Sequence, residues 1–553
     1  MTRTHLLYAV CWLVATPAFA APVLPPATEP GAIQQRQIDE EHRRREDERE
    51  QRKTDVEPLK RPVEAAPAVQ AGQEAVRFFV RQIVFSKSEI LSEEELNSLA
   101  KDYLNRESSL AELQALAVRI NELYRSKGVV TAQAVIPPQD VTTGIIHIRL
   151  VEGRLGKVSI KGNESTKSYY IDSRLHLAPG DLIDLAKYEA ALVRFNRTND
   201  VQLQAQLAPG EKFATTDLAL TAAEPERQEF RLTLDNLGST ATGKERAGLA
   251  YENRSVLGYR DDLGLSYSRA VGQESQSASY AFPVNTWGGR LNLGYYKDSI
   301  ALKRGPLASL NITGDSTTKV ASLRQPAYID STRQLDIVAG WKQQRSSNWI
   351  DGMFLSQVNV SATNLGVEAR RFGRQSTWSG SYVRSFGSSN ATEPSGFIVD
   401  RGSLRHSRDL GHDLALVASL SWQSTRHDFL PSSEQMFIGG EGSVRGYPVG
   451  VYSGDTGQIV NLELHHPLLA ASEATHGISA RGFFFADYGR VKPYRPPGSG
   501  LSEYDQLTGV GWGVQSNLGK HVYARLTLGY GLDNVPLQPQ HYGITLQLMA
   551  SAF

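Results

Sequence analysis

The sequence predicts a transmembrane antiparallel β-barrel of about 16 strands, preceded by two α+β modules and an N-terminal charged helix. Three observations predict it. Beyond Glu224, apolar and polar residues alternate at period two in segments of about ten, the pattern of strands with one lipid face and one wet face. Residues 76–224 run twice through the same β-α-α-β-β order. The tetrapeptide Val444-Arg445-Gly446-Tyr447 follows the glycine-rich Gly439-Gly440-Glu441-Gly442 and precedes Phe485-Ala486-Asp487-Tyr488-Gly489, so an arginine on a pliant loop has a carboxylate downstream to meet.

The N-terminus reads as a signal peptide over residues 1–20. Arg3 and His5 precede an apolar stretch from Leu6 to Ala15, and Ala18-Phe19-Ala20 forms a small-residue cleavage site. The stretch is too short to anchor in a bilayer. The single cysteine, Cys11, lies inside it, so the mature chain carries no disulfide or thiol chemistry. Charge is balanced, 59 basic against 59 acidic side chains, with no bias toward nucleic acid or anionic surfaces. No run of about 18 apolar residues marks a transmembrane helix, which leaves a barrel open because alternating strands hide their hydrophobicity.

Residues 21–55 begin proline-rich and become a proline-free charged tract. The pairs Asp39/Arg43, Glu40/Arg44, Glu41/Arg45 and Glu48/Arg52 stand at (i, i+4) and support a helix over about 31–54 by a few tenths of a kcal/mol each. A solvated, unstructured tract would share that composition. A helix polar on every face needs wet surroundings, which a barrel lumen supplies. Residues 56–75, with Pro58, Pro62 and Pro67, read as a linker.

In the first module, residues 76–152, Phe78–Phe85 reads as a strand and Ser92-Glu93-Glu94-Glu95 caps a helix to about Leu104. Leu110, Leu113, Leu116, Ala117, Ile120, Leu123 and Tyr124 share a helical face up to Lys127-Gly128. Val129–Ile136 and Ile145–Val151 are strand-like. The second module, residues 153–224, repeats this order. A strand at Val158-Ser159-Ile160 leads to helices over Ser168–Leu175 and from Asp184, then strands at Val201–Leu207 and Thr216–Ala222.

Residues 225–553 carry the barrel. Phe230, Leu232 and Leu234 alternate with Arg231, Thr233 and Asp235, and Val522, Ala524, Leu526, Leu528 and Tyr530 with Tyr523, Arg525 and Thr527. Gly509, Gly511 and Gly513 alternate with Val510, Trp512 and Val514, a placement within a strand that marks packing or close approach rather than a nucleotide loop. A soluble sandwich alternates too, but about 330 residues give about 16 strands at roughly 20 residues per strand and connection. A cylinder that wide keeps an aqueous lumen. Around Asp487, alternation points Ala480, Gly482, Phe484, Ala486 and Tyr488 outward, and Arg481, Phe483, Phe485, Asp487 and Gly489 inward. A carboxylate on a membrane strand belongs in the lumen. Arg445, beside glycines that permit positive φ, can fold back onto it with a fork suited to bidentate bonding. The alternative leaves Arg445 on a surface loop and pairs Asp487 with Arg481.

The whole mature chain resembles the outer-membrane transporters of two-partner secretion, the TpsB or ShlB/FhaC/HecB-like family. These lie within the POTRA–barrel superfamily that includes the barrel-assembly factor. The two modules are similar in order and size to polypeptide-transport-associated (POTRA) domains. The resemblance implies that residues 31–54 plug the pore and that the POTRA pair captures the cargo. It also implies that Val444, Arg445, Gly446 and Tyr447 on loop six lock against Phe485, Asp487 and Gly489 of the wall. It further implies a Gram-negative outer membrane with the POTRA domains in the periplasm, and a monomer. The implied partners are a secreted TpsA-type exoprotein, outer-membrane lipids and lipopolysaccharide, and the barrel-assembly machinery during biogenesis.

Without ATP in the periplasm or a nucleotide-binding loop in the chain, transport draws its bias from the cargo's folding outside. Capture is expected as β-augmentation on Val129, Val130, Thr131, Ala132, Gln133, Ala134, Val135 and Ile136, beside helix Leu110–Tyr124. Edge strands also occur without any ligand. No catalytic, cofactor or metal site emerges: His465-His466 lacks carboxylate or cysteine company, and no serine sits in a nucleophile elbow. Phe553 supplies a C-terminal aromatic, out of phase with Tyr542, Ile544, Leu546 and Leu548, and a bulge near Ala550 would reconcile them. The alternative functions are a barrel-assembly factor and a porin or barrel-borne enzyme. The candidate plug, only two modules and no nucleophile constellation favour secretion. The cargo stays open among an adhesin, a haemolysin, a haem-binding protein and a contact-dependent toxin.

Overall fold

A computed structural model describes residues 26–51, 59–60 and 77–553, apart from 130, 393, 428, 473–474, 476, 496–499 and 537–540. The expected leader 1–20 and most of the 56–75 linker lie outside the described residues. The chain divides into two compact units, one of the N-terminal helix with the C-terminal strands, the other of the modules between them.

Sixteen strands close into an antiparallel barrel, hydrogen-bonded in chain order from Gln228–Asp235 to Tyr542–Ala552. The first strand pairs with the last, Phe230 opposite Ala552 and Asp235 opposite Gln547, so the wall has no edge. Alternation sorts the side chains as the sequence predicts: Phe230, Leu232, Leu234, Leu526 and Tyr530 are exposed on the outer face, and Thr527 is buried. The last strand runs without a register shift against both neighbours, so the bulge expected near Ala550 is absent. Phe553 lies just past that strand, where the ladder no longer dictates the side of the ring, and meets His521 with centroids 5.4 Å apart.

Helix Pro30–Gln51 belongs to the barrel unit. Proline opens it, where its fixed φ suits the helix and no amide is lost. Ala32, Ile33, Gln34 and Ile38 of this otherwise polar helix are buried.

In the other unit, helices Glu93–Ala100 and Leu110–Ser126 each begin with a capping box, on Ser92 and Ser109. Leu113, Leu116, Ala117, Ile120 and Tyr124 bury one face of the second helix in a core with Ile146, Ile148 and Leu150. The strand expected over Phe78–Phe85 breaks at Arg81. Arg77–Val80 pairs with Arg106–Ser109, while Gln82–Phe85 joins Ile145–Val151 and Gln133–Val135 in a three-stranded sheet. The amides of Arg81 and Gln82 both donate to the Gly144 carbonyl, at 2.7 and 3.2 Å, which bends the chain from one sheet to the other. The second module packs helices Ser168–Leu175 and Leu185–Thr198 on a sheet of Gln202–Pro209, Thr215–Ala223 and Arg154–Lys161. Leu59–Lys60 extends that sheet, parallel to Ala205–Gln206.

Candidate functional site: an arginine-tipped loop in the barrel lumen

Wall strands are counted here from Gln228–Asp235. The connection 426–455 joins the eleventh, Leu414–Thr425, to the twelfth, Thr456–Leu469, as the sixth connection on that side of the barrel. It turns inward through a short hairpin of Met436–Ile438 with Tyr452–Gly454. Gly439 and Gly440 take φ of +106° and +97°, a backbone that other residues rarely adopt. The turn is then closed by Ser443, whose Oγ accepts from the Gly439 amide at 2.8 Å, and by a Gly440 amide bond to the Val444 carbonyl at 3.0 Å.

The tip places Arg445 on the thirteenth strand, Ile478–Lys492. Its Nε donates to Asp487 Oδ2 and its Nη2 to Asp487 Oδ1, both at 2.7 Å, and its own amide adds a 3.0 Å bond to Oδ2. Arg445 is 4% exposed and Asp487 2%. The guanidinium lies 3.7 Å above the Phe485 ring, an attraction added to the ion pair. Of the two pairings the sequence leaves open, the structure brings Arg445 onto Asp487. Arg481, the rival partner, is exposed.

The remaining motif residues meet at the same place. Val444 is buried with Ile438, Ile459, Val491 and Leu507, and a Cβ on Gly489 would lie 2.7 Å from the Val444 side chain. Gly446, at φ +95°, passes so near the fifteenth strand, Val522–Gly531, that a Cβ there would stand 2.8 Å from the Gly531 amide. Tyr447 donates its hydroxyl to the Thr508 carbonyl at 3.0 Å and accepts from the Asp533 amide at 2.7 Å. The alternating glycines of the fourteenth strand, Asp505–Leu518, make room. A Cβ on Gly509 would stand 2.1 Å from the Arg445 carbonyl oxygen, and one on Gly513 would stand 2.3 Å from the Phe483 ring.

Four further polar residues complete the site. Glu463 accepts from Arg445 Nη1. Asn461 donates to Asp487 Oδ1 at 2.8 Å and to the Ser443 carbonyl at 2.6 Å, so one amide ties loop to wall. Arg525 lies 3.4 Å from Glu441 and 3.5 Å from Glu463, its guanidinium over the Phe483 ring at 4.5 Å. Glu441 accepts from Thr527 and Thr545, each at 2.9 Å. Period-two alternation could have found Asn461 and Glu463, which share the lumen face. The same reasoning corrects the reading of His465. It does have carboxylate company, Glu463 at 2.8 Å, two residues back on the same face, while His466 stacks on Phe484.

Helix Pro30–Gln51 reaches the opposite arc. Gln34 donates to Asp298 Oδ2 at 2.6 Å and accepts from Ser316 and Thr318 at 2.8 and 2.5 Å, on the fifth and sixth strands. Gln37 accepts from Ser275 at 3.0 Å. Arg43 donates to the Gly442 carbonyl of loop six at 2.9 Å.

The expected docking strand is shorter than predicted. Of Val129–Ile136, only Gln133–Val135 is a strand, at the sheet edge beside Ile145–Val151, and Val130 lies outside the described residues. Val129 donates to the Tyr124 carbonyl at 3.0 Å, a bond that closes the helix end just past Gly128 instead of joining a sheet. Thr131 and Ala132 precede the strand and Ile136 follows it. The Ala134 amide donates to Asn121 Oδ1 at 2.7 Å, so the helix side chain already occupies the central donor of this edge. Burial raises the pKa of the Tyr124 phenol, and its neighbour Glu152 adds to the rise.

Comparisons with known proteins agree on one relationship. The family described as haemolysin secretion/activation protein ShlB/FhaC/HecB matches residues 214–516, and the ShlB-type POTRA domain matches 78–153. The outer membrane transporter CdiB of Dickeya dadantii is 26% identical over 413 residues, covering 70% of this chain and 72% of its own. The heme/hemopexin transporter protein HuxB of Haemophilus influenzae is 23% identical over 474 residues, covering 82% and 83%. The solved structure of CdiB from Escherichia coli is similar in fold, with a TM-score of 0.68 at 20% identity, covering 97% of this chain and 100% of that one.

Proposed function

This chain belongs to the ShlB/FhaC/HecB family of haemolysin secretion/activation proteins, and from that premise we propose that loop six and the N-terminal helix hold its pore until a secreted partner arrives. It is an outer-membrane transporter of two-partner secretion, with POTRA domains on the periplasmic side. Its partner is an exoprotein. In this reading the exoprotein arrives unfolded, the POTRA pair captures an extended segment, and the chain passes through the barrel without ATP, drawn by folding outside.

One observation carries the reading: a bidentate arginine–aspartate pair, almost fully buried, at the bottom of a glycine groove inside a closed barrel. Helix Pro30–Gln51 acts as the plug, supported by its bonds to the wall around Gln34. Closure of the first strand on the last leaves no edge for strand pairing with another copy, and the same reading takes the chain as a monomer among lipids and lipopolysaccharide, inserted by the barrel-assembly machinery. Residues 1–20 serve as the export signal. Cargo docks on Gln133–Val135 once Asn121 yields the Ala134 amide. A role in assembling other barrels is the second reading, and two modules with a plug speak against it.

The test is Arg445→Ala co-expressed with the exoprotein read from the neighbouring gene. Secretion is expected to be abolished while the barrel still inserts and migrates as a folded, heat-modifiable species. Secretion at the parental level would remove the role assigned to the pair.

A further inference from the structure

Loop six is held at a second place, apart from the Arg445 tip. Before its tip the loop makes one 3-10 turn, Ser432–Glu434, packed against helix Pro30–Gln51. Glu434 is 1% exposed, and its carboxylate ends between two cations. Lys342 Nζ donates to one oxygen, and Arg401 donates to the other at 2.8 Å. Arg401 also donates to the Glu434 carbonyl at 2.9 Å. Gln423 donates to that carbonyl at 2.8 Å and to the Asp455 carbonyl at 3.0 Å, so one amide holds the arm together with the loop's far end. Lys342 reaches the plug helix as well, donating to Gln35 Oε1 at 3.2 Å.

Strand order shows where these grips lie. Lys342 stands on the seventh wall strand, Arg333–Ile350, and Arg401 on the tenth, Gly396–Gly411. The tip is bound to the twelfth through sixteenth strands. Lys342 thus reaches Glu434 from the seventh strand, across the lumen from the fifteenth, while Arg401 on the tenth and Gln423 on the eleventh hold it from the arc that adjoins the tip's own. The loop is therefore held at two places of opposite design, a cation seated among carboxylates at the tip and a carboxylate seated between cations on the arm.

We propose that Glu434 is the second anchor of loop six, a positioning residue that holds the arm against the wall through Lys342 and Arg401. Lys342 ties the plug helix to the same point. This rests on the reading that the loop must shift for a chain to pass. The grip depends on charge, because a buried carboxylate persists only with its cations, and the cations without it repel each other.

The experiment uses the full transporter with Ser443→Cys as a reporter in the tip, where Ser443 is 6% exposed. The chain's sole cysteine is Cys11 in the leader, so the label is unique. Labelling by a membrane-impermeant maleimide is followed on intact cells without exoprotein, which keeps the anchor's failure separate from any failure of the secretion reading. Glu434→Gln should speed labelling at least roughly tenfold, since it strands two cations. Lys342→Gln and Arg401→Gln, each removing one cation, should act in the same direction. Glu434→Asp keeps the charge and should label near the parental rate, whereas a space-filling role would spare Glu434→Gln instead. Parental labelling in folded Glu434→Gln barrels, or equally fast labelling in Glu434→Asp, overturns the proposal.

Discussion

Gly509→Ala tests the seat of the loop without touching either ion. The added Cβ would stand 2.1 Å from the Arg445 carbonyl oxygen. Carbon and oxygen ordinarily come no closer than about 3.3 Å, so the two must separate by roughly 1.2 Å. Both partners are backbone, and the strand is paired on either side, so no flexible side chain absorbs the shift. Arg445 bonds Asp487 at 2.7, 2.7 and 3.0 Å. Moving the loop away by that amount would carry these contacts to roughly 4 Å, out of hydrogen-bond reach. The loop takes the cheaper of two outcomes. Overpacking strain costs roughly 1–3 kcal/mol, and a broken pair roughly 3–5 kcal/mol where it stays dry and less once water reaches it. Even 2 kcal/mol lowers the ratio of seated to released loop roughly thirtyfold. Trypsin on intact cells reads that ratio, because Arg445 is buried when seated. Faster cleavage at Arg445 and reduced secretion are expected. Gly248→Ala, whose methyl meets nothing nearer than 3.6 Å, should match the parent. If Gly509→Ala resists trypsin and secretes normally, the groove does not hold the loop.

Two further outcomes follow from the hydrogen-bond map. Gln34→Leu strands the buried partners Asp298, Ser316 and Thr318 at about 1–3 kcal/mol per unsatisfied group. It should raise the open fraction in planar-bilayer recordings, and unchanged traces would count against the helix as plug. Asn121→Ala frees the Ala134 amide. A peptide from the exoprotein's secretion region should then bind the full transporter roughly two- to tenfold tighter by titration, the equivalent of one hydrogen bond no longer displaced. Unchanged or weaker binding would remove Gln133–Val135 as the docking edge.

Local patterns were legible and distant closures were not. Period-two alternation sorts Phe230, Leu232 and Leu234 from Arg231, Thr233 and Asp235 without any knowledge of neighbours, and it puts Asp487 on the lumen side. The break at Arg81 depends on the carbonyl of Gly144, far along the chain, so Phe78–Phe85 looks continuous in sequence. Val129 reads as strand by residue type, yet its amide is spent on capping the end of the preceding helix. Glu463 is a middle case, since its place beside Arg445 needs only strand register, Glu463 opposite Phe485, in addition to the motif. Glu434 is not readable at all. Its cations come from strands seven and ten, and nothing in the spacing announces them.

The wet lumen decides what kind of lock this can be. A hydrophobic plug of comparable burial would expose apolar surface whenever the loop lifted, and the penalty would persist throughout transit. Asp487, Glu463, Glu441 and Arg525 instead meet water as soon as Arg445 departs, and a hydrated carboxylate does not carry the full penalty of one stranded in a dry core. The seated state keeps its specificity, because glycines admit the backbone of this loop to within a few ångströms of the wall. Those glycines weaken the strands that carry them, and closure of the barrel compensates by leaving every wall strand paired on both sides. On the reading proposed above, an ion lock in a glycine seat would hold firmly at rest and still release into water at tolerable cost, which a transporter needs and a stability device does not.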